Sequence, residues 1–244
     1  MLGAAVFLLL MAGLFIPLEA WFPVRQGAAG RRAVLTALGL FLLNLALMEL
    51  LGAPLLGFLE DAFASDAAPS ALKVLGVLAL ADVAGYWVHR LMHRVPLLWR
   101  FHAVHHAPTH LAWFEAWRQH PIDFVLHSIA VGVPGALLGA SLSDLASVVL
   151  LRKAFTTFLH ANVRWRFGPL EWVLATPAFH HLHHSADPRD CDRNFAGTFP
   201  LTDLLFGTHR APAFPTAVGC ATVPEQIERA TLNPCARGAS TSER

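Results

Sequence analysis

Long runs of apolar residues alternate with short polar stretches and predict membrane helices. Residues 2–18 form a run of 17 residues without a charge. At about 1.5 Å per residue this run covers most of a bilayer core of roughly 30 Å. Residues 33–59 form a second run, interrupted by Asn44, Glu49 and Pro54, which is still long enough to span with tilt.

Two further apolar runs lie in the middle of the chain. Residues 71–92 are apolar up to Asp82, and residues 122–158 are broken at the sequence Gly139-Ala-Ser141. We interpret the last run as two helices that form a hairpin. The pattern therefore predicts an all-α integral membrane protein with about four transmembrane helices, the last two forming this hairpin.

Basic residues orient these helices through the positive-inside rule. If the end of the first helix faces the cytoplasm, every basic cluster near the helices lies on that side. The clusters are Arg25, Arg31 and Arg32; Arg90, Arg94 and Arg100; and Arg152, Lys153, Arg164 and Arg166. We therefore expect a helical cap on the cytoplasmic side of the membrane.

The chain shows no internal repeat and is predicted to form a single domain with three parts. Residues 1–70 hold the N-terminal transmembrane helices and end in an acidic, loop-like link at 60–66. Residues 71–210 hold the candidate site, and 211–244 form a polar tail. A cleaved signal peptide is the weaker interpretation of the first run, because no basic segment precedes it.

Composition narrows the functional classes. Charged residues make up 14% of the chain, against roughly 25% in a soluble domain. The 55% of hydrophobic residues excludes disorder for most of it. The net charge of +1 lacks the basic excess of a nucleic-acid binder. The three cysteines form neither a disulfide framework nor a CxxC metal motif.

Histidine is the residue whose number and placement indicate chemistry. All 14 histidines lie between His89 and His209, in the part expected on the cytoplasmic side. Three clusters have the spacing of three or four residues that puts side chains on one helix face. They are His89 and His93; His102, His105 and His106; and His180, His183 and His184.

These eight histidines and His160, at the end of the predicted hairpin, are nine candidate metal ligands. A tetrahedral site takes four ligands and an octahedral site six, so nine imidazoles suit two ions. Imidazole also binds Zn, Cu and Ni, so spacing alone leaves the metal open. His120, before a predicted helix, is a candidate tenth ligand or a hydrogen-bond donor to one. For the remaining four we favour a role without metal: His110, His127, His181 and His209.

Other classes of membrane protein also use histidine. A divalent-metal binding or transport protein is the main alternative, and it would need ligands near the bilayer midplane or carboxylates along a pathway. A bis-histidine haem cytochrome would place histidines in the middle of apolar helices. A zinc hydrolase would need a general base, and no HExxH motif occurs.

From about residue 75 to 210 the motifs resemble the fatty acid hydroxylase / sterol desaturase superfamily of membrane non-haem di-iron enzymes. The matching pieces are Asp82 with Tyr86, HxxxH at 89–93, HxxHH at 102–106, Arg118-Gln-His120-Pro121, Phe158-Leu-His160-Ala-Asn162, HxxHH at 180–184, Asp187, Asp192-Arg-Asn194-Phe195-Ala-Gly197 and Leu205-Phe206-Gly207-Thr208. The chain departs from the family at Thr202-Asp203, where Trp-Asp is usual, and at Ala196, an insertion where Asn-Phe-Gly is usual. Both departures lie past the ligands and bear on a substrate or partner surface.

The resemblance implies a membrane-bound, O₂-dependent di-iron oxidoreductase that hydroxylates or desaturates a lipid. Two Fe ions would be its cofactors, the nine histidines their ligands and residues 71–210 its catalytic region. We expect electrons from a separate ferredoxin- or cytochrome b5-like carrier with its reductase, because the chain leaves no room for a fused one. An acidic carrier would dock on Arg164, Arg166, Arg189 and Arg193. Fatty acyl chains, sterols, carotenoids and ether lipids all stay open as substrates.

Neutral imidazoles leave two divalent ions uncompensated, so carboxylates should lie beside the ligands. Asp82 is the best candidate, because Asp82, Tyr86, His89 and His93 follow one continuous helical stripe. Tyr86 is the only tyrosine of the chain. Asp187 and Asp192, just beyond the third cluster, are further candidate carboxylates, and Asn162 and His120 are further candidates for ligation or for hydrogen bonds to the ligands.

Overall fold

The N-terminal helices are long, apolar and largely exposed. In a computed structural model that describes residues 2–63 and 70–219, α1 spans Leu2–Trp21 and α2 spans Arg31–Leu47. A π-helical turn, Met48–Gly52, joins α2 to α3, Ala53–Phe63. The turn ends two residues before Pro54, which has no N–H for the carbonyl of Leu50 within the turn.

The predicted acidic link is wrong for residues 60–63, because α3 continues to Phe63. Glu60 has a partner that explains its helical position: its Oε1 accepts from the Leu142 backbone N–H at 2.8 Å. The carboxylate thus caps the start of another helix, which the sequence spacing does not reveal. The remainder of the link and most of the predicted C-terminal tail lie outside the described residues.

The next two helices carry the first five candidate ligands. Helix α4 spans Ser70–Arg94 and α5 spans Pro96–His106. Pro96 separates them, since proline fits the first turn of a helix and disfavours helical backbone in the residue before it. The chain therefore bends between His93 and His102 and brings the two helices side by side.

The predicted hairpin is present. Helix α6 spans Pro121–Leu137 and α7 spans Leu142–His160. Gly139 has a φ of 61°, which favours glycine, and Ser141 starts α7 with a capping box to Asp144. The break predicted at 139–141 thus coincides with the turn.

The C-terminal part folds over these helix ends as a cap of short elements. Helix α8 spans Pro177–His183 and α9 spans Leu201–Leu205, with single 3₁₀ turns between the longer helices. Two isolated bridges, Pro23 to Val163 and Ser185 to Val218, are the only β pairing in the described residues. Loops, rather than regular structure, therefore position much of the cap.

Three helices of the described part are long and apolar enough to cross a membrane: α1, the continuous Arg31–Phe63 and α4. Helix α6 is apolar but shorter. Many leucines of the first helices are exposed, such as Leu9 at 73% and Leu50 at 72%, as expected of lipid-facing side chains. The all-helical membrane fold is therefore confirmed, whereas the number of spans, the side of the cap and the three-part division stay predictions.

Candidate metal centre

Helix geometry divides the HxxHH motif of α5 between two directions. At 3.6 residues per turn, a residue four positions after the first histidine is rotated by about 40° around the helix axis. A residue three positions after it is rotated by about 60° in the opposite direction. His102 and His106 therefore point together, while His105 points to a different group of ligands.

The motif at α8 divides in the opposite sense. His180 pairs with His184, the residue directly after the helix, and His183 is set apart. His183 therefore lies with His102 and His106, and His105 lies with His180 and His184. The complete sets are a five-histidine group, His89, His93, His102, His106 and His183, and a four-histidine group, His105, His160, His180 and His184.

Within each group the ligand nitrogens lie within 4.8 Å of one another, and all nine side chains are buried. The two groups adjoin, because the rings of His106 and His184 stack with centroids 4.2 Å apart. The structure thus brings together all nine histidines singled out from the sequence. That they bind metal stays a prediction.

In five of these rings, the acceptor next to Nδ1, the nitrogen that faces away from the other ligands, determines which ring nitrogen carries the proton. Each Nδ1 lies within hydrogen-bond distance of an oxygen that can only accept, so Nδ1 donates and Nε2 keeps a lone pair. The acceptors are the carbonyls of Phe195 for His89 (2.8 Å), Arg193 for His183 (2.8 Å), Arg118 for His105 (3.3 Å) and Thr156 for His160 (2.8 Å), and the Asp123 carboxylate for His102 (2.9 Å).

The inner nitrogens face one another at short distances. The Nε2 atoms of His105 and His160 are 3.1 Å apart, although both rings hold their proton on Nδ1. The Nε2 atoms of His106 and His183 are also 3.1 Å apart. Two nitrogens bound to one ion at about 2.1 Å lie about 3.0–3.4 Å apart. A shared cation would turn the repulsive His105–His160 contact into an attractive one and would bind the lone pair on His183 Nε2, so the residues fit a metal ion in each group.

His89 adds a second observation of the same kind. Its Nε2 is buried and has no hydrogen-bond partner in the described part of the chain. A buried nitrogen without a partner is costly and needs an explanation. Because this atom belongs to the five-histidine group, a metal ion there would satisfy it.

Burial keeps the imidazoles of the cap in the neutral form that binds metal. It lowers the pKa of His183 to about 3, and it lowers the pKa values of His105, His106, His180 and His184 well below their usual range. Neighbouring histidines lower these four further, because a second positive charge would repel the first. At neutral pH none of these rings competes with a metal ion by holding an extra proton.

Residues 192–195 form the loop that supplies two of the carbonyl acceptors. Asp192 and Asn194 have φ values of 55° and 57°, a left-handed conformation that Asp and Asn tolerate better than most residues. Asp203 fixes the end of the loop by accepting from the backbone N–H groups of Phe195 (2.8 Å) and Ala196 (2.7 Å). The Ala196 insertion and the Thr202-Asp203 pair therefore lie in the support of this loop.

Sequence reasoning missed the carboxylate closest to the ligands. Asp123 is fully buried, and its two oxygens accept from Nδ1 of His102 at 2.9 Å and of His127 at 2.8 Å. His127, for which we expected a role without metal, is thus linked to His102 through Asp123. The centroid of its ring lies 6.0 Å from that of His89. The available indication was the i, i+4 spacing of Asp123 and His127 at the start of α6.

Asp82 and Tyr86, predicted to lie beside the ligands, have other partners instead. Asp82 accepts from Arg152 Nη1 at 3.4 Å and from the Phe199 backbone N–H at 3.0 Å. The Tyr86 hydroxyl lies 2.9 Å from Thr208 Oγ1. The stripe they share with His89 and His93 is real, but seven residues of helix cover about 10 Å, so its far end bonds to the cap rather than to the histidines.

Asp192 lies beside a candidate ligand, as predicted, with its Oδ1 3.5 Å from His93 Nδ1. Asn162, Asp187 and His120 bond elsewhere in the fold. The Asn162 side chain donates to the Arg25 carbonyl at 2.8 Å and accepts from the Arg25 N–H at 3.0 Å. Asp187 pairs with Arg189 at the surface. His120 caps α6 by accepting from the Ile122 N–H at 3.2 Å, outside both groups.

A cavity of about 490 Å³ extends from the histidines between α3, α6 and α7. His89, His105 and His160 line its polar end. Its walls are mostly aliphatic and include Leu51, Leu55, Val125, Ile129, Val133, Leu145 and Val149. The cavity suits an alkyl chain, because concave apolar walls with few convergent polar groups are typical of lipid-sized ligand sites.

Comparison with known sequences gives this site a context. A family model described as fatty acid hydroxylase matches residues 74–208, which include all nine histidines. The ornithine lipid hydroxylase OlsE of Rhizobium tropici is 38% identical over 160 residues, or 64% of this chain and 47% of that protein. The alkylglycerol monooxygenase of Danio rerio is 34% identical over 137 residues, or 56% of this chain and 29% of that protein.

A third relative carries a different name. The very-long-chain aldehyde decarbonylase GL1-11 of Oryza sativa subsp. indica is 29% identical over 140 residues, 57% of this chain and 52% of that protein. The chain thus spans about half or less of these curated relatives. No solved structure matches it significantly.

Proposed function

The chain belongs to the fatty acid hydroxylase family, and from that premise we propose that it is an O₂-dependent membrane oxidoreductase that hydroxylates a lipid. Two Fe ions are its proposed cofactors and the nine histidines of the two groups are their proposed ligands. The similarity to proteins named as a lipid hydroxylase and a monooxygenase supports insertion of oxygen over desaturation.

One observation carries the proposal: two groups of buried imidazoles, with inner nitrogens 3.1 Å apart, lie at the end of an apolar cavity. A metal transporter needs ligands along a path through the membrane. Here the histidines converge at one place and share it with a space suited to an alkyl chain. This arrangement supports chemistry on a lipid rather than passage of an ion.

Bound iron would supply the activation of O₂ that an unreactive C–H bond requires. The chain's own residues have three tasks. The carbonyls of Arg193 and Phe195 and the Asp123 carboxylate hold imidazole orientation and proton position. The aliphatic walls exclude water and align the substrate chain. The two histidine groups would hold the metal centre at one end of the bound substrate chain.

We place the histidine groups on the cytoplasmic side, where a separate ferredoxin- or cytochrome b5-like carrier would deliver electrons. Arg193 is half-buried, and its side chain donates to the Gly207 carbonyl, while its own carbonyl accepts from His183. An acidic carrier that contacts Arg193 would thus come within one residue of a ligand. Neutralising Arg164 and Arg193 together should slow turnover with the native donor at low salt, and unchanged turnover would refute docking there.

Lipid profiling by mass spectrometry tests the proposed activity. Cells expressing the wild-type chain should contain a lipid heavier by one oxygen that is absent with His105→Ala. His110→Ala is the matched control, because His110 lies near the same motif but outside both groups. A product lighter by two hydrogens would indicate desaturation instead, and identical lipid profiles for wild type and His105→Ala would refute the activity.

Metal analysis tests the cofactor separately. The purified protein should contain about two irons, as nine imidazoles require, and show no Soret absorption band. A Soret band would indicate haem. Zinc in place of iron, or a content of one ion per chain, would contradict the proposed centre.

A further inference from the structure

The chain has only two lysines among its 18 basic residues, and one of them, Lys153, lines the cavity. Its Nζ donates to Gln119 Oε1 at 3.2 Å and lies 5.6 Å from the centre of the Phe124 ring. Both partners are uncharged. Among the described residues no carboxylate lies within ion-pair distance of this ammonium group.

The neighbouring cation, Arg152, does have a carboxylate partner. Arg152 pairs with Asp82 at 3.4 Å, and its guanidinium lies in a slot bounded by Gly85 and Gly197. A Cβ at either glycine would come within 3.2–3.3 Å of Arg152 Nη2. Arg152 is therefore fixed and neutralised, which leaves Lys153 as a positive charge of the cavity without a carboxylate in ion-pair contact among the described residues.

The nearest buried carboxylate on α6 does not fill this role. The oxygens of Asp123 accept from His102 and His127, and this carboxylate acts on Lys153 only through a Coulombic attraction from beyond ion-pair distance. An ammonium group in an apolar space loses much of its hydration, and such groups are retained when they acquire a counter-charge. The counter-charge of Lys153 is therefore expected from outside the chain.

From this arrangement we infer that Lys153 anchors an anionic group, phosphate or carboxylate, at the polar end of the lipid. Lys153 precedes His160 by seven residues on α7, so both lie on one face about 10 Å apart along the axis. The polar end is thus held about two helix turns from His160, and the alkyl chain extends between the aliphatic walls. The carbon attacked is close to the polar end, not far along the chain.

This inference rests on the proposed function, because it assigns the substrate class of the same site, but binding measurements test it apart from turnover. The probes are hexadecyl phosphate, palmitate and hexadecanol, which share a chain length and differ in charge. Each is radiolabelled and bound at equilibrium to the iron-loaded protein in detergent. Wild type should prefer one or both anions over the alcohol by about tenfold or more, as expected for a hydrogen bond to a charged group.

Substitution of Lys153 separates recognition from folding. Lys153→Met should lose the preference for anions and keep the wild-type affinity for hexadecanol, and Lys153→Arg should restore the preference. Arg32→Met, which removes an exposed cation outside the cavity, should bind all three probes as wild type does. Hexadecyl phosphate bound more tightly than palmitate would identify phosphate as the source of the anion, and the reverse order would identify carboxylate.

Two outcomes overturn the inference: equal affinity of wild type for all three probes, or an equal loss of all three in Lys153→Met. The second would mean that Lys153 only holds Gln119 in place. If the wild type shows the Lys153-dependent preference but oxidises no lipid, the anion site stands and the proposed activity fails. If the wild type oxidises lipids and Lys153→Met keeps the preference, the activity stands and the anion site fails.

Discussion

Replacing Asp123 with asparagine tests whether the five-histidine group depends on a carboxylate outside the nine ligands. The Asp123 side chain is fully buried and accepts one hydrogen bond from His102 and one from His127, at 2.9 and 2.8 Å. Asparagine has only one carbonyl oxygen. Its NH₂ group would therefore face the N–H of one histidine, donor against donor.

The size of the effect follows from these contacts. A hydrogen bond to a charged group contributes about 1.5–3 kcal/mol, and one of the two is lost. At 1.4 kcal/mol for each factor of ten, this corresponds to a 10- to 100-fold weaker metal site, the range typical for losing the outer partner of a ligating histidine. The four-histidine group has its own acceptors, so only one of the two ions should bind more weakly.

The assay follows iron release from the loaded protein to a coloured chelator. Asp123→Asn should release about half of its iron faster than wild type. Asp144→Asn is the matched control, because Asp144 is also a buried carboxylate in the first turn of a hairpin helix but bonds to Ser141. It should lower the melting temperature and leave iron release unchanged. Release from Asp123→Asn at the wild-type rate would refute the assignment of Asp123.

Three further predictions follow from the site and its support. His184→Ala should lose about half of the bound iron, whereas His181→Ala should keep it, because His181 Nε2 donates to a backbone carbonyl at 3.1 Å and lies outside both groups; equal iron contents would contradict this. Gly135→Ala should lower the free energy of unfolding by about 1–3 kcal/mol, because its Cβ would overlap a leucine of α7, whereas Gly132→Ala meets open space and should not; equal melting temperatures in detergent would contradict this. Burial lowers the pKa of His183 to about 3, so between about pH 6.5 and 3 the unfolded chain binds more protons than the folded chain. As pH falls through this range, His183 should lower the free energy of unfolding of the metal-free protein by up to about 1.4 kcal/mol per pH unit. If the melting temperature of His183→Gln falls with pH as steeply as that of wild type, this contribution of His183 is excluded.

The sequence predicts which histidines converge, because residue spacing is local information, whereas metal binding by them stays a prediction. Spacings of three and four residues place imidazoles on one helix face whatever the rest of the fold does. The break at 139–141 is equally local, since Gly139 and the Ser141 capping box both act within one turn. These features need no knowledge of which helix packs against which.

The partners of the histidines could not be found in the same way. Asp82 lies on the correct helical stripe, but distance along the helix takes it to Arg152 and Phe199. The carbonyls that bond to the ligands come from a loop with left-handed residues, and backbone atoms leave no residue-type pattern. Asp123 approaches His102, 21 residues away in sequence, only after α6 packs against α5.

The division of each HxxHH motif has a consequence for how the site is assembled. Because α5 and α8 each contribute ligands to both groups, neither ion can be held by one helix and its nearest neighbour in sequence. The five-histidine group needs α4, α5 and α8, and the four-histidine group needs α5, α7 and α8. Metal binding would therefore join the membrane helices to the cap at two places that share both motif helices. Such sharing ties the geometry of one ion to that of the other, so the reactive end of the cavity is fixed by the fold as a whole rather than by any single helix.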